Sequence, residues 1–318
     1  MSVLRKNFTF LILTFLFFPK SSNSQEHDIV DVWLSKDSVT HLLISDNRIY
    51  NEGWHMLAQP NFWKQVMRLS PDSCIVNIAH NRTVLGFEDF LMWQKKTEAQ
   101  KQVYKDSVRK AHNLTDSTRI FITSGKNHFY SFDKVIPSIG KAVEVFNNMG
   151  ADPWYAQAIL LIESPNKLQY SNVGAYGPFQ LMKEVAKTYG LKVNKEIDER
   201  EDFDKSATAA AKLIERVCVP EAKRILNKHN ITYNRYDLWF RLIVLHIYHA
   251  GSGNVEGVIN VIKPTEGGME LIRQMWVNEY GGFKNASQNY SQVALASILS
   301  LYEIITERCE AMHYCPAP

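Results

Sequence analysis

The sequence predicts a mainly α protein with a mixed, mostly helical N-terminal region. From Asp133 onward, apolar runs of helical length alternate with glycine and proline stop signals. Before that point, a polar segment at 88–112 begins with two acids and lacks glycine and proline, which predicts one solvated helix. Two β-branched runs, at 75–78 and 119–123, predict strands. Two short strands are too few for a large sheet, so helices should dominate the fold.

Residues 1–24 have the pattern of a secretory signal peptide. Arg5 and Lys6 precede an apolar run at 8–18, and small residues at 22–24 follow it. The run is shorter than the roughly 20 residues that span a bilayer, and a retained anchor is the alternative. We expect the segment to be cleaved, so that the mature protein is exported to the periplasm or cell envelope without a transmembrane anchor.

The charge balance argues against a nucleic-acid partner. The chain has 36 Lys and Arg residues against 33 Asp and Glu residues. The whole excess lies in the first 24 residues, which contain Arg5, Lys6 and Lys20 and no acid. The remaining chain is therefore neutral, whereas phosphate binding needs clustered cations.

Four cysteines follow the leader segment: Cys74, Cys218, Cys309 and Cys315. An oxidising compartment allows disulfides, and Cys309 and Cys315 are close enough in sequence to form one at the C-terminal end. Their spacing fits no zinc motif, so we expect neither a metal ion nor a cofactor. The sequence leaves the oligomeric state open.

A candidate catalytic acid ends a helix that should be buried. Asp152 and Pro153 are typical of a helix start, and the segment 154–164 is apolar nearly all round. Glu163 lies in its last turn, where the negative helix end and the apolar neighbours both disfavour ionisation. Both effects should raise its pKa, although a lone glutamate could instead point outward or pair with an arginine.

A glycine-containing loop at 171–182 follows the proline that ends this helix. Gly174 and Gly177 permit close approach of the backbone to a ligand, and Gln180 offers both a hydrogen-bond donor and an acceptor. The loop matches neither the Walker nor the dinucleotide-binding pattern, so a phosphate site is not expected.

Two further helices follow the loop. The segment 197–217 opens with acids at 198–202 and continues with alanines, which predicts a capped helix start with a local ion pair. The segment 238–259 is an apolar helix that breaks at a glycine-rich sequence, with Tyr248 and His249 just before the break.

The order of four motifs resembles the soluble lytic transglycosylase domain of peptidoglycan-cleaving enzymes, and in particular membrane-bound lytic murein transglycosylase D. The motifs are E-S, S-x-V-G-A-x-G-x-x-Q-x-M, D-E-R-x-D with S-x-x-A-A-A, and W…Y-x-A-G-x-G-x-V. Their residues here are Glu163 and Ser164; Ser171, Val173, Gly174, Ala175, Gly177, Gln180 and Met182; Asp198, Glu199, Arg200, Asp202, Ser206 and 209–211; and Trp239, Tyr248, Ala250, Gly251, Gly253 and Val255.

The resemblance implies a lysozyme-like helical catalytic domain, which we assign to 133–265. It leaves an N-terminal extension at 25–132 of unknown role and a C-terminal helical extension at 266–318. Endo- or exo-cleavage and any preference for stem peptides are not indicated by the motifs.

The resemblance also implies the chemistry. Members of the family cleave peptidoglycan glycan strands between N-acetylmuramic acid and N-acetylglucosamine without consuming water. Glu163 would be the single catalytic acid and base, and Tyr248 would hydrogen-bond near it and help to place it. The implied sugar-binding positions are Ser164, Ser171, Gly174, Gln180, Met182 and His249.

The chain departs from the family pattern at several positions. His249 stands where the family ordinarily has asparagine, which puts the sugar contacts and pH response there in question. The segment 286–290 resembles the family's downstream E-T-x-x-Y element but lacks its acid and threonine. Tyr290 is the one residue of this segment for which the resemblance implies a role in the site. The spacing from Glu163 to Ser171 is one residue shorter than usual.

Two other functions stay open on the sequence alone. A muramidase-type hydrolase would need a second carboxylate, for which Glu199, Glu201 and Asp202 are the candidates. A catalytically weak peptidoglycan-binding component of the envelope would keep the fold, with His249 and the shortened loop marking lost activity.

Overall fold

The computed structural model describes residues 28–34, 39–163, 171 and 174–312. The expected signal peptide, Ser164 and the candidate disulfide of Cys309 and Cys315 lie outside the residues and side chains that it describes. Within the described part of the chain, no helix combines the length and apolar character needed to cross a bilayer.

The N-terminal region contains a two-stranded hairpin, a three-stranded sheet and short helices. Both sheets are antiparallel, and the strand order of the larger one is β4-β3-β5. The elements are β1 (Asp28–Leu34), β2 (Val39–Ser45), α1 (Arg48–Asn51), a 3₁₀ turn (Trp54–Met56), α2 (Ala58–Arg68), β3 (Ser73–Ile78), β4 (Val84–Asp89), α3 (Phe90–Gln94), α4 (Glu98–Ala111) and β5 (Ile120–Ser124).

The structure confirms two of the sequence predictions here and corrects a third. The run at 75–78 lies in strand β3, and residues 120–123 of the second run lie in strand β5. The single helix predicted at 88–112 is wrong, because its first two acids end strand β4 and two separate helices follow. A capping box starts the second of these helices: Thr97 Oγ1 accepts from the Gln100 N–H, and Gln100 Oε1 accepts from the Thr97 N–H.

From Phe132 onward the described residues form mainly helices, which confirms the mainly α prediction. The elements are α5 (Phe132–Asn148), α6 (Trp154–Glu163), α7 (Lys183–Thr188), a 3₁₀ turn (Glu199–Glu201), α8 (Phe203–Leu213), a π-helical turn (Ile214–Cys218), α9 (Val219–Lys228), α10 (Leu238–Ala250), α11 (Ser252–Ile262), α12 (Met269–Met275) and α13 (Asn285–Met312).

One hydrophobic core contains residues from all three predicted segments, 25–132, 133–265 and 266–318. Helix α6 lies at its centre, and α5 and α13 pack against it. The long helix α13 also packs along α2 of the N-terminal region. The segments therefore share a core, and the extensions support the helix that ends in Glu163.

Buried polar contacts attach the N-terminal hairpin to α6. Arg241 in α10 is fully buried, and its guanidinium donates to Asp152 Oδ2 at 2.7 Å and to Asp46 Oδ2 at 3.1 Å. The side-chain amide of Gln157 in α6 exchanges two hydrogen bonds with the backbone of Ile44 in β2, at 2.9 and 2.8 Å. Breaking a buried charge pair leaves an uncompensated charge, so these contacts fix the hairpin against α6.

Candidate active site

Glu163 is the last residue of α6 and the point at which that helix leaves the core. The carboxylate of Asp152 caps the helix start, accepting from the Trp154 N–H at 3.0 Å, as the sequence predicts. All the residues of α6 before Glu163 are buried, and Glu163 itself is partly exposed. An apolar helix therefore delivers one carboxyl group to the edge of the core.

The carboxyl group of Glu163 resists ionisation. Burial raises its pKa from the usual 4.5 to about 7. Tyr290 in α13 opposes this effect in part, since its hydroxyl donates to Glu163 Oε1 at 2.8 Å and stabilises the charged form. The direction of the shift is the one predicted from the apolar sequence around Glu163.

His249 lies against the ring of Tyr290. The two ring centroids are 4.3 Å apart with an angle of 34° between the ring planes. The imidazole Nδ1 is 3.5 Å from the hydroxyl of Ser287, one turn before Tyr290 in α13. His249 keeps an exposed edge, and the protein around the remainder of the ring lowers its pKa. Glu163, Tyr290 and His249 thus form a continuous row.

Tyr248 makes its hydrogen bond to the glycine-containing loop. Its hydroxyl donates to the backbone carbonyl of Phe179 at 2.6 Å, and a tyrosine hydroxyl has a single proton to donate. The hydrogen bond to the Glu163 carboxylate comes from Tyr290. Burial, and after it the charge of Glu163, raise the pKa of Tyr248 well above its usual value. Tyr248 lies near the carboxylate and anchors the glycine-containing loop.

Tyr130, which belongs to the N-terminal region, is a third tyrosine near Glu163, after Tyr290 and Tyr248. It packs against the core just before α5, and burial together with the charge of Glu163 raises the pKa of its hydroxyl. The sequence offered no motif that singles out Tyr130, because the preceding loop has neither a recognisable pattern nor a resemblance to the family.

Arg200 binds the backbone of the glycine-containing loop. The Arg200 guanidinium donates to the carbonyls of Gly174 and Leu181, both at 2.9 Å, and pairs with Asp198. Gly177 has φ +85°, and a Cβ there would lie 1.9 Å from the Arg200 carbonyl oxygen. The arginine of the D-E-R motif is thus structural, and it explains why glycine is needed at 177.

The other predicted sugar-binding residues lie along this loop. The Ser171 hydroxyl accepts from the Ala175 N–H at 2.9 Å, and Gln180 has φ +46° with its side-chain amide donating to the Gly177 carbonyl at 3.1 Å. Met182 follows as an exposed residue before α7. The Tyr248 hydroxyl holds the carbonyl of Phe179, the residue before Gln180, and so connects this loop to α10.

The candidate second carboxylates have structural partners. Glu199 accepts from the Lys192 N–H at 2.6 Å and from the Lys205 ammonium at 2.7 Å, and these bonds lower its pKa. Asp202 caps α8, and Glu201 is 3.4 Å from the Tyr176 hydroxyl. The acids at this position form the capped helix start with an ion pair that the sequence predicts. Among the residues that the structure describes, no group of three His, Cys, Asp or Glu side chains could hold a metal ion.

Comparison with known proteins gives one family. A family model described as the transglycosylase SLT domain matches residues 146–261, about a third of the chain, from the end of α5 to the end of α11. No curated protein and no solved structure matches. The matched residues include Glu163, Gln180 and Tyr248, whereas Tyr290 lies beyond the end of the match. The match does not separate proteins similar to membrane-bound lytic murein transglycosylase D from other members of the family. Residues 146–261 therefore form an SLT domain, of the lysozyme-like lytic transglycosylase family of peptidoglycan-cleaving enzymes.

Proposed function

We propose that this protein is a peptidoglycan lytic transglycosylase with Glu163 as its single acid and base. It would cleave the β-1,4 bond between N-acetylmuramic acid and N-acetylglucosamine and leave a 1,6-anhydromuramic end. The observation that carries the proposal is the raised pKa of Glu163, about 7, at the end of a buried helix. A carboxyl group with a pKa near the working pH can both donate and accept a proton.

The proposed reaction needs only this one carboxyl group. Protonated Glu163 donates its proton to the glycosidic oxygen, and the acetamido group of the muramic acid stabilises the developing positive charge at C1. The resulting carboxylate then takes the proton of the muramic C6 hydroxyl, which attacks C1 and closes the anhydro ring. Because the nucleophile belongs to the substrate, it is already in place, and no second carboxylate has to activate water.

Tyr290 is suited to the charged stage of this cycle. Its hydrogen bond to Glu163 Oε1 stabilises the carboxylate that exists between the two proton transfers. Tyr248 acts one step further away, because it holds the Phe179 carbonyl and with it the backbone beside Gln180. We assign the acetamido-bearing sugars to Gln180 and the neighbouring loop, with Ser171, Gly174 and Met182 along the same groove.

The partners of the other acids favour this route over hydrolysis. Glu199 is held in an ion pair with Lys205 and Asp202 caps the start of α8, whereas the second carboxylate of a hydrolase must face the sugar or the attacking water. We place the enzyme in the cell envelope after removal of residues 1–24. N-terminal sequencing of the secreted protein tests this placement, since a mature chain beginning near residue 25 is expected and an uncleaved chain would contradict it.

Digestion of purified sacculi tests the reaction. The wild-type protein should release muropeptides with anhydro ends, identified by mass spectrometry. Glu163→Gln should still sediment with sacculi and release none. Glu199→Gln and Asp202→Asn are the matched controls, since they remove acids of the capped helix start, and both should keep cleavage.

Three outcomes would contradict the proposal, each in a different way. Unchanged cleavage by Glu163→Gln would reject the catalytic assignment. Products heavier by one water would indicate a muramidase, and loss of cleavage in Glu199→Gln or Asp202→Asn would then identify its second carboxylate. Binding to sacculi with no cleavage by the wild-type protein would indicate a wall-binding component.

A further inference from the structure

Arg82 is a buried arginine in the turn between β3 and β4. Its side chain is almost completely removed from solvent, and the hydrogen bonds described for its guanidinium all end on asparagine side-chain oxygens. Burial without a neighbouring carboxylate lowers its pKa to about 10. Arginine is seldom buried in this way, because desolvating its charge is costly. The position therefore calls for a specific explanation.

Two further features show that this arginine is held against its local preferences. Its backbone has φ +61°, a left-handed conformation that is unfavourable for residues with a side chain. Its guanidinium lies 5.4 to 5.7 Å from the ring centroids of Phe62, Trp63 and Phe121, which surround it. Aromatic faces stabilise a desolvated cation, and three of them fix its direction.

The guanidinium points at the start of α13. One nitrogen, Nη2, donates to Asn285 Oδ1 at 3.0 Å and to Asn289 Oδ1 at 2.7 Å, and Nη1 reaches Asn77 in β3 at 3.3 Å. A cation at a helix N-terminus is unfavourable for the helix dipole, so charge alone does not account for the contact. Asn289 directly precedes Tyr290, whose hydroxyl donates to Glu163.

We propose that Arg82 is a positioning residue through which the N-terminal sheet sets the first turns of α13 and keeps the Tyr290 hydroxyl on Glu163. The fork of the guanidinium ties two residues one turn apart to the rigid strand β3, and this fixes the rotation of the helix about its axis. A role follows for the region before α5: it completes the catalytic site from outside the matched domain. The effect of Arg82 on catalysis rests on the proposed function, whereas its contact with α13 does not.

The test reads the ionisation of Glu163 in the full chain, independently of activity. The glutamate carboxyl carbons are labelled and titrated by NMR, and the Glu163 signal is assigned by its absence in Glu163→Gln. Tyr290→Phe removes the hydrogen bond that stabilises the carboxylate, so the pKa of Glu163 should rise by about one unit. Arg82→Met should raise it by roughly half as much.

Matched variants distinguish the geometry of the Arg82 guanidinium from its charge and from a general loss of packing around it. Arg82→Lys keeps the cation but not the fork, so it should also raise the pKa of Glu163. Arg119→Met removes an exposed arginine that stacks on the same Phe121 ring, and it should leave that pKa unchanged. Should Arg82→Met fail to fold, Asn289→Ala breaks the same contact from α13 and should give the same rise.

The outcomes decide between the two proposals. Combining Arg82→Lys with Tyr290→Phe should give no further rise beyond Tyr290→Phe alone, since both act through one hydrogen bond. An unchanged pKa of Glu163 in Arg82→Lys and Asn289→Ala, beside a clear rise in Tyr290→Phe, would overturn the role of Arg82. Failure of the wild-type protein to cleave sacculi would overturn the proposed function and leave the NMR result standing.

Discussion

Replacement of Glu163 by glutamine should change how stability depends on pH. In the folded protein the pKa of Glu163 is about 7, against 4.5 in an unfolded chain. The folded state therefore binds the proton more tightly, and this contribution to stability is fully present below pH 4.5. It is lost as the pH rises to 7, after which it is constant. Glutamine is neutral throughout and loses nothing over the same range.

The size of the effect follows from the separation of the two pKa values. Each unit corresponds to about 1.4 kcal/mol, so ionisation of Glu163 costs the wild-type protein at most about 3.5 kcal/mol of folding free energy between roughly pH 4 and pH 8. The partial exposure of Glu163 makes this an upper bound, because water screens part of the penalty. Most proteins have only about 5–15 kcal/mol to lose, so the difference is measurable.

Urea unfolding at a series of pH values measures the effect directly. The free energy of unfolding of Glu163→Gln, relative to wild type, should rise between pH 4.5 and 7 and be flat on either side. His246, whose pKa burial lowers to about 3, destabilises both proteins equally in acid, so its contribution cancels in the difference. Parallel curves for the two proteins across this range would mean that Glu163 ionises normally, and the proposed acid would lose its physical basis.

Two further predictions come from local geometry. Gly177→Ala should lower the free energy of unfolding by about 3 kcal/mol or more and abolish cleavage, because the added Cβ would overlap the Arg200 carbonyl. Gly174 has a similar φ but open space around it, so Gly174→Ala should lower the free energy of unfolding by only about 1 kcal/mol. Equal urea midpoints for the two variants would contradict this prediction. The Cys74 and Cys218 thiols are buried, with pKa values raised to about 11 and 12, so they should be alkylated only after unfolding. Labelling of either in the native protein, seen by peptide mass spectrometry, would contradict the described burial.

The sequence was most informative where structure is determined locally. The cap at Asp152, the burial of the following helix and the raised pKa of Glu163 all follow from residues close together in the chain. The segment 88–112 was misread because its composition suits a helix throughout, while the start of α4 depends on one capping box at Thr97. Strand β4 was missed for a related reason: it forms only because β3 lies beside it.

The parts of the site that were not predicted from the sequence depend on contacts between residues far apart in the chain. Tyr290 lies 127 residues after Glu163 and in an element that has lost two of its family positions. Tyr130 and Arg82 belong to the region before the matched domain, where no motif is present. Only the packing of α13 between that region and α6 brings these side chains together, and such packing has no local signal.

Two of the departures from the family pattern are in contact with each other, which bears on whether they mark lost activity. His249 replaces the usual asparagine, and its ring lies against Tyr290 and 3.5 Å from Ser287, the residue at the threonine position of the altered element. Serine keeps the hydroxyl of threonine, and Tyr290 keeps its bond to Glu163. An imidazolium at this place would lower the pKa of Glu163 and remove the proton that the reaction needs. Burial of part of the ring lowers the pKa of His249, which disfavours the imidazolium. The two substitutions thus keep the hydrogen bond to Glu163 and disfavour a positive charge beside Tyr290, and both features agree with the proposed role of Glu163 as a protonated acid.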